Sequence, residues 1–159
     1  MLTLSTWRIR LDVNGVNIKE GYDEGMSYQL YQLEIPENPA AVIFVNGLLA
    51  RDRRGWWWMW RNLRLLRRAT VEAKGCVQAK AGICSLKEAI VVSYWSEENS
   101  LKKFFQSEPH RQMMQFVRKH PQSLCLYNET YKPLGSGKYI HEPQGMALIY
   151  GQARQNQLK

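Results

Sequence analysis

Few residues in this 159-residue chain can move protons, attack carbon or hold metal: three histidines, three cysteines and fourteen carboxylates. His110 follows Pro109, where a helical pattern breaks, so its imidazole could face a cleft between a helix and a sheet. Imidazole titrates near neutral pH, which suits a general base; the competing reading is a surface histidine after a proline kink. His120 precedes Pro121 at a predicted helix C-terminus, where the helix dipole alone favours a cation. His141 lies in the tail, without histidine or carboxylate spacing for a metal, so no metal site is expected. In a strand pattern, Tyr127, Glu129 and Tyr131 share one face, and Asn128 shares the other with Leu126 and Thr130. A carboxylate enclosed between two tyrosines could take a proton or orient a substrate; on an open face it is a solvated glutamate beside amphipathic rings. Cys76, Cys84 and Cys125 form no Cys-x-x-Cys pair, so a reduced cytoplasmic setting is the expectation.

The most unusual stretch runs from Arg51 to Arg68 and holds four tryptophans and seven arginines. At helical spacing Trp56, Met59, Trp60, Leu63, Leu66 and Thr70 form one stripe, which packing on a sheet explains. Trp57, Trp58 and Leu65 lie off that stripe, and Arg61, Arg64 and Arg68 stack as a basic ridge. Exposed tryptophan beside arginine suits a protein interface or a membrane surface. Nucleic acid is the weakest use, because no RNA- or DNA-binding motif accompanies the patch.

These residues need elements to hold them. Trp7 to Val13 alternates as a strand, and Asn14-Gly15 predicts a hairpin returning through Val16 to Lys19. Tyr28 to Ile35 reads as a weaker strand before Pro36 and Pro39. Then come a buried strand at Ala41–Val45, a helix from Gly55 to about Lys74, and a strand from Cys76 to Cys84 broken at Gly82. A second buried strand spans Ala89–Trp95. A helix capped by Ser96 follows, breaks at Pro109 and resumes to Lys119, and a last strand covers Leu124–Tyr131. From residue 41 the order is β-α-β-β-α-β, the ferredoxin-like plan. The expected organisation is a β-rich extension over 1–40, the α+β domain over 41–150 and a polar tail over 151–159.

That order, with Val91-Val-Ser-Tyr-Trp95, Ser96 to Leu101 and Phe104 to His110, resembles the dimeric α/β-barrel superfamily of monooxygenases and chlorite-dismutase-like proteins. More closely, Leu126-Tyr-Asn-Glu-Thr-Tyr131, Gly135, Gly137 and Lys138-Tyr-Ile-His141 resemble a bacterial monooxygenase-like family with a His-Glu-Thr-Tyr strand. The resemblance covers about residues 41–145. It implies a homodimer and a pocket for a hydrophobic or aromatic small molecule. It also admits heme, for which His110 would be a ligand candidate. The site it implies comprises His110, Asn128, Glu129 and Tyr131 as catalytic residues, with Trp95, Tyr127 and Met114 against the ligand. The departures are Asn128 for the family's histidine, Ile140 for a glutamate, and Met114 where heme-degrading relatives carry their axial histidine; chemistry requiring those groups would be lost.

Charge adds a constraint on partners. Residues 1–50 hold three basic and six acidic groups, the rest nineteen and eight, within a net charge of +8. A monooxygenase-like protein is the leading reading. The alternative is a non-catalytic protein docking through Trp57, Trp58, Arg61, Arg64 and Arg68 on an acidic protein or membrane surface. Neither needs a membrane span, and no apolar run approaches the roughly 20 residues that one takes. A cytoplasmic location, or a peripheral one at a membrane, is expected.

Overall fold

The computed structural model describes the backbone of residues 7–11, 17–23, 26–140 and 142–155, and side-chain surroundings from Leu33 onward except at 140–141 and 151–155. In chain order the elements are β1 (Trp7–Leu11), β2 (Asn17–Asp23), β3 (Met26–Glu34), β4 (Val42–Ala50), α1 (Arg53–Glu72), β5 (Cys76–Ser85) and β6 (Glu88–Trp95). They continue with α2 (Glu98–Phe105), α3 (Glu108–Lys119), β7 (Leu124–Tyr131), β8 (Ser136–Ile140) and α4 (Met146–Gln155). They fall into two units, Ala40–Lys132 and a second formed by Met1–Pro39 with Pro133–Lys159.

In the second unit β1, β2, β3 and β8 make an antiparallel sheet in that order. The predicted hairpin pairs Trp7 with Gly21 and Leu11 with Asn17; its turn lies outside the described residues. β2 runs past the expected Lys19 to Asp23, with Gly21 in register opposite Tyr28. The two units divide after Pro39 and after Lys132. Leu30 to Glu34 pair with Ile140 to Ser136, so the residues after 132 join the N-terminal strands and supply a strand and a helix.

Residues 40–132 fold as the predicted β-α-β-β-α-β, an antiparallel sheet in the order β5-β6-β4-β7. Alternation assigns its faces. Val42, Phe44, Asn46, Leu48 and Ala50 of β4 are buried, as are Ala89, Val91, Ser93 and Trp95 of β6. With them pack Met59, Leu101 and Met113 from the helices, forming the core on one side. β4 runs five residues beyond the expected Val45. Asn46 is tolerated because its amide bonds that of Asn128, its partner in register on β7. Gly47 is required by its partner Tyr127, whose ring crosses it so closely that a Cβ there would lie 1.9 Å from Cζ. The opposite face carries Ile43, Val45, Ile90, Val92 and Tyr94, half-buried, with Leu49, Tyr127, Glu129 and Tyr131 exposed. The sequence expects β4 to be covered on both faces; within this unit the helices cover one.

Helix boundaries follow their caps. Asp52 caps α1, accepting the Gly55 N–H at 2.7 Å and the Ser123 hydroxyl at 2.7 Å, which ties the helix start to the loop before β7. These bonds hold the Asp52 carboxyl below its ordinary pKa. A carboxylate depressed in the folded state stabilises above its unfolded pKa and loses that contribution as pH falls through the folded one. Asp52→Ala should therefore lower the urea midpoint at pH 7, and the gap to the parent should narrow under acid; an equal gap at both pH values would show that the charge is immaterial. α1 ends before Gly75, whose φ of +87° few other residues adopt, as the sequence predicts. Glu97, not Ser96, occupies the α2 cap position and accepts the Ser100 hydroxyl at 3.1 Å. The chain breaks at Gln106-Ser107, and Pro109 sits in the first turn of α3, where its missing N–H costs nothing. β5 passes through Gly82 unbroken, its irregularities falling at Cys76/Gln78 and Ile83/Ser85 instead.

Candidate functional site

Between the helices and the sheet lies a cavity of about 30 Å3. Its sheet wall is Phe44 and Asn46 of β4 with Val91 and Ser93 of β6; Leu66 and Thr70 of α1, Phe104 of α2, and His110 and Met113 of α3 close it. Period-two alternation places the sheet residues, and the four-residue step places Leu66 with Thr70. His110 falls in the first turn of α3, fixed by Pro109, with its ring 5.8 Å from that of Phe104 and 5.2 Å from that of Phe105.

The polar lining is largely committed. The Thr70 hydroxyl donates to the Leu66 carbonyl, and the Ser93 hydroxyl donates to the Phe44 carbonyl while accepting the Trp95 indole N–H at 2.9 Å. Asn46 donates to Asn128. His110 remains the titratable group at the cavity. Burial pushes its pKa below 6.5, partly offset by a hydrogen bond to the Phe105 carbonyl. In the neutral imidazole one ring nitrogen is a proton acceptor.

The structure divides the residues singled out from sequence. His110 lines the helix-side cavity, whereas Asn128 is exposed and reaches it only through its bond to Asn46. Glu129, Tyr131 and Tyr127 lie on the opposite face, where Tyr131 donates to Glu129 and Tyr127 to Glu88. The Glu129 bond is the main reason the Tyr131 phenol is raised above its ordinary pKa, whereas burial leads at Tyr127. Trp95 does not touch the cavity as a ligand residue would; it is fully buried, its ring against Phe104 at 5.3 Å. Met113 lines the cavity, and Met114, one residue round the helix, packs with the core cluster around Met59. Asn46 and Ser93 were not anticipated. Their signal is parity: each is a polar residue in an apolar strand at a helix-facing position. Trp57 is 63% exposed, but Trp58 is not surplus to packing, since it stacks on Phe116 with centroids 4.6 Å apart and planes at 15°. Arg61, Arg64 and Arg68 are exposed, and Arg68 pairs with Glu72.

Other reactive groups are muted. Burial pushes the Cys76 thiol up to about 11, leaving little thiolate at neutral pH. His120 caps α3, and its Nδ1 faces Arg54 Nη1 at 3.0 Å. Among the described residues no three His, Cys, Asp or Glu side chains gather as a metal site. As it stands the cavity at His110 is far smaller than a porphyrin or any other ring system, so either would need lining side chains such as Leu66 or Phe104 to move.

Residues 46–146 match the family described as Monooxygenase af470-like. The chain belongs to that family. The matched segment starts at Asn46 and contains His110 and Asn128. Among solved structures, a Shewanella oneidensis protein aligns with a TM-score of 0.51 at 12% identity, over 70% of this chain and 99% of its own. SnoaB, a cofactor-independent oxygenase from Streptomyces nogalater, aligns at 0.48 and 8%, over 59% and 93%. A Pseudomonas aeruginosa protein aligns at 0.49 and 14%, over 61% and 98%. At such identities the likeness concerns the fold. No curated protein matches the chain. For this Monooxygenase af470-like member, no helix among the described residues is long and apolar enough to cross a membrane.

Proposed function

We propose that this protein is an oxygenase that oxidises a small apolar or aromatic molecule at the helix-side cavity, with His110 as general base. The observation carrying this reading is His110 itself: a half-buried imidazole, its neutral form favoured by burial, facing a cavity otherwise lined by apolar groups, two bonded hydroxyls and the Asn46 carboxamide. A neutral imidazole can take a proton from an acidic substrate C–H. The resulting carbanion is electron-rich enough to reduce dioxygen directly. For a methylene carbon the balance is one CH2 and one O2 giving one C=O and one water, so the substrate supplies all the electrons. The cavity's volume suits dioxygen or water; a ring enters by displacing Leu66 or Phe104, both half-buried. Asn46, held by Asn128, is placed to hydrogen-bond a substrate carbonyl once that space opens.

The test uses anthrone, whose methylene is acidified by two flanking rings and a conjugated carbonyl. Purified protein should consume one O2 per anthraquinone formed, above the uncatalysed rate. An uncatalysed rate with every aromatic ketone and quinol tried would remove the oxygenase reading.

The opposite sheet face supports a second element of the proposal, a homodimer. Ile43, Val45, Ile90 and Val92 form an apolar patch bordered by Tyr94, Tyr127 and Tyr131, and a second copy would bury it. Sedimentation should give twice the 18.6 kDa chain mass, and Val45→Lys should give monomers of unchanged circular dichroism. A parent that sediments as a monomer at micromolar concentration contradicts the pairing.

A further inference from the structure

The outward face of α1 is left without a role by the cavity and by the core. Along it run Trp57, Arg61, Arg64, Leu65, Arg68 and Val71, at helical steps of four, three, one, three and three. Trp57 is 63% exposed, Leu65 55% and Val71 43%. Arg61, Arg64 and Arg67 have no carboxylate partner among the described residues, and Arg68 is paired with Glu72. At the helix start a cleft of about 560 Å3 opens between Trp56, Trp57, Arg51, Arg53 and Lys87. Trp56 is fixed in its wall, because its indole N–H donates to the Leu86 carbonyl at 2.7 Å. The one carboxylate lining the cleft, Asp52, is spent on the Gly55 N–H and the Ser123 hydroxyl. Three cations, Arg51, Arg53 and Lys87, therefore line the cleft against the single negative charge of Asp52, which leaves it net positive.

We propose that this face docks the protein on an anionic phospholipid surface, α1 lying parallel to the bilayer and the cleft receiving a headgroup phosphate. Shape and chemistry select the occupant. The face is the convex side of a 20-residue helix, about 30 Å long. It carries apolar side chains interleaved with arginines, as interfacial helices do: tryptophan and leucine enter the headgroup–acyl boundary while guanidinium groups hold phosphates. Nucleic acid would set Trp57, Leu65 and Val71 against phosphate and water. The net charge of +8 suits the negative potential of anionic lipid. The face is separate from the catalytic cavity, so this proposal does not rest on the oxygenase reading.

The experiment is co-sedimentation of the full chain with phosphatidylcholine vesicles, with or without about 30% phosphatidylglycerol. Expected is binding to the anionic vesicles alone, weakening at least about tenfold between roughly 0.1 and 0.5 M salt. Trp57→Ser and Leu65→Ser should each reduce partitioning, Trp57→Ser by about tenfold, without moving the melting temperature. Arg61→Ser and Arg64→Ser should each cost about fivefold. The proposal is overturned if pure phosphatidylcholine binds equally well, if no vesicle binds, or if Trp57→Ser and Leu65→Ser are both inert. Salt-sensitive binding to a duplex oligonucleotide without vesicle binding overturns it in favour of nucleic acid.

Discussion

Trp95→Ala should destabilise the protein by about 3–5 kcal/mol, the range for deleting a fully buried large aromatic. Trp95 is 0% exposed, the bulkiest of the fully buried side chains, and sits with Val42, Phe44 and Leu101 at the centre of one core cluster. Its indole also donates to Ser93, whose hydroxyl donates in turn to the Phe44 carbonyl on β4, so truncation removes the first bond of that chain and leaves Ser93 with one partner fewer. The cavity left would lie against Phe104, the residue bordering His110. Trp95→Phe keeps most of the ring contact and should lose about 0.5–1.5 kcal/mol for the indole bond, plus a packing defect. Urea denaturation at constant m-value reads both. For a chain of this length the alanine variant should melt roughly 6–20 °C lower. A loss under about 1 kcal/mol would show that the site collapses around the missing ring. A role for Trp95 at the ligand instead requires that Trp95→Phe lower turnover without lowering stability.

How far such residues could be read from sequence depends on whether their partners are local. The strand Leu124–Tyr131 was legible to the residue, because alternation and flanking breakers suffice, and so was the split of Asn128 from Glu129. The β-α-β-β-α-β order was legible for the same reason. β4 was cut short at Asn46-Gly47 because the groups that satisfy those two residues stand on β7, about 80 positions away. Pro109 marks a boundary in both readings, yet only the backbone tells the end of one helix from the start of the next. The pairing of β8 with β3 joins strands about a hundred positions apart, and nothing in Ser136–Ile140 announces it. Trp58 illustrates the same limit on a helix surface, since its stacking partner Phe116 lies on another helix. At the cavity His110 was visible because proline and imidazole are both conspicuous. Ser93 and Asn46 were not, because a small polar residue in a strand gains meaning only when the covering helix is known.

His110→Ala should lower turnover roughly a hundredfold to ten-thousandfold, the usual contribution of a positioned general base. The loss should appear in kcat more than in KM, since proton abstraction belongs to the transition state. The parent's pH profile gives a second readout. Burial depresses the His110 pKa, so the basic form dominates above 6.5, and the rate should rise to a plateau reached by about neutral pH. Stability should follow the same sign. The unfolded chain binds this proton more readily than the folded one, so His110 costs nothing above its unfolded pKa and destabilises the fold as pH drops toward the folded value. His110→Gln, which cannot titrate, should remove both pH dependences together. Glu129→Gln is the matched comparison, because Glu129 faces away from the cavity and its bond is to Tyr131. It should leave turnover within about twofold of the parent. If Glu129→Gln abolishes turnover while His110→Ala spares it, the chemistry resides on the tyrosine face of the sheet, and the proton acceptor is the carboxylate rather than the imidazole.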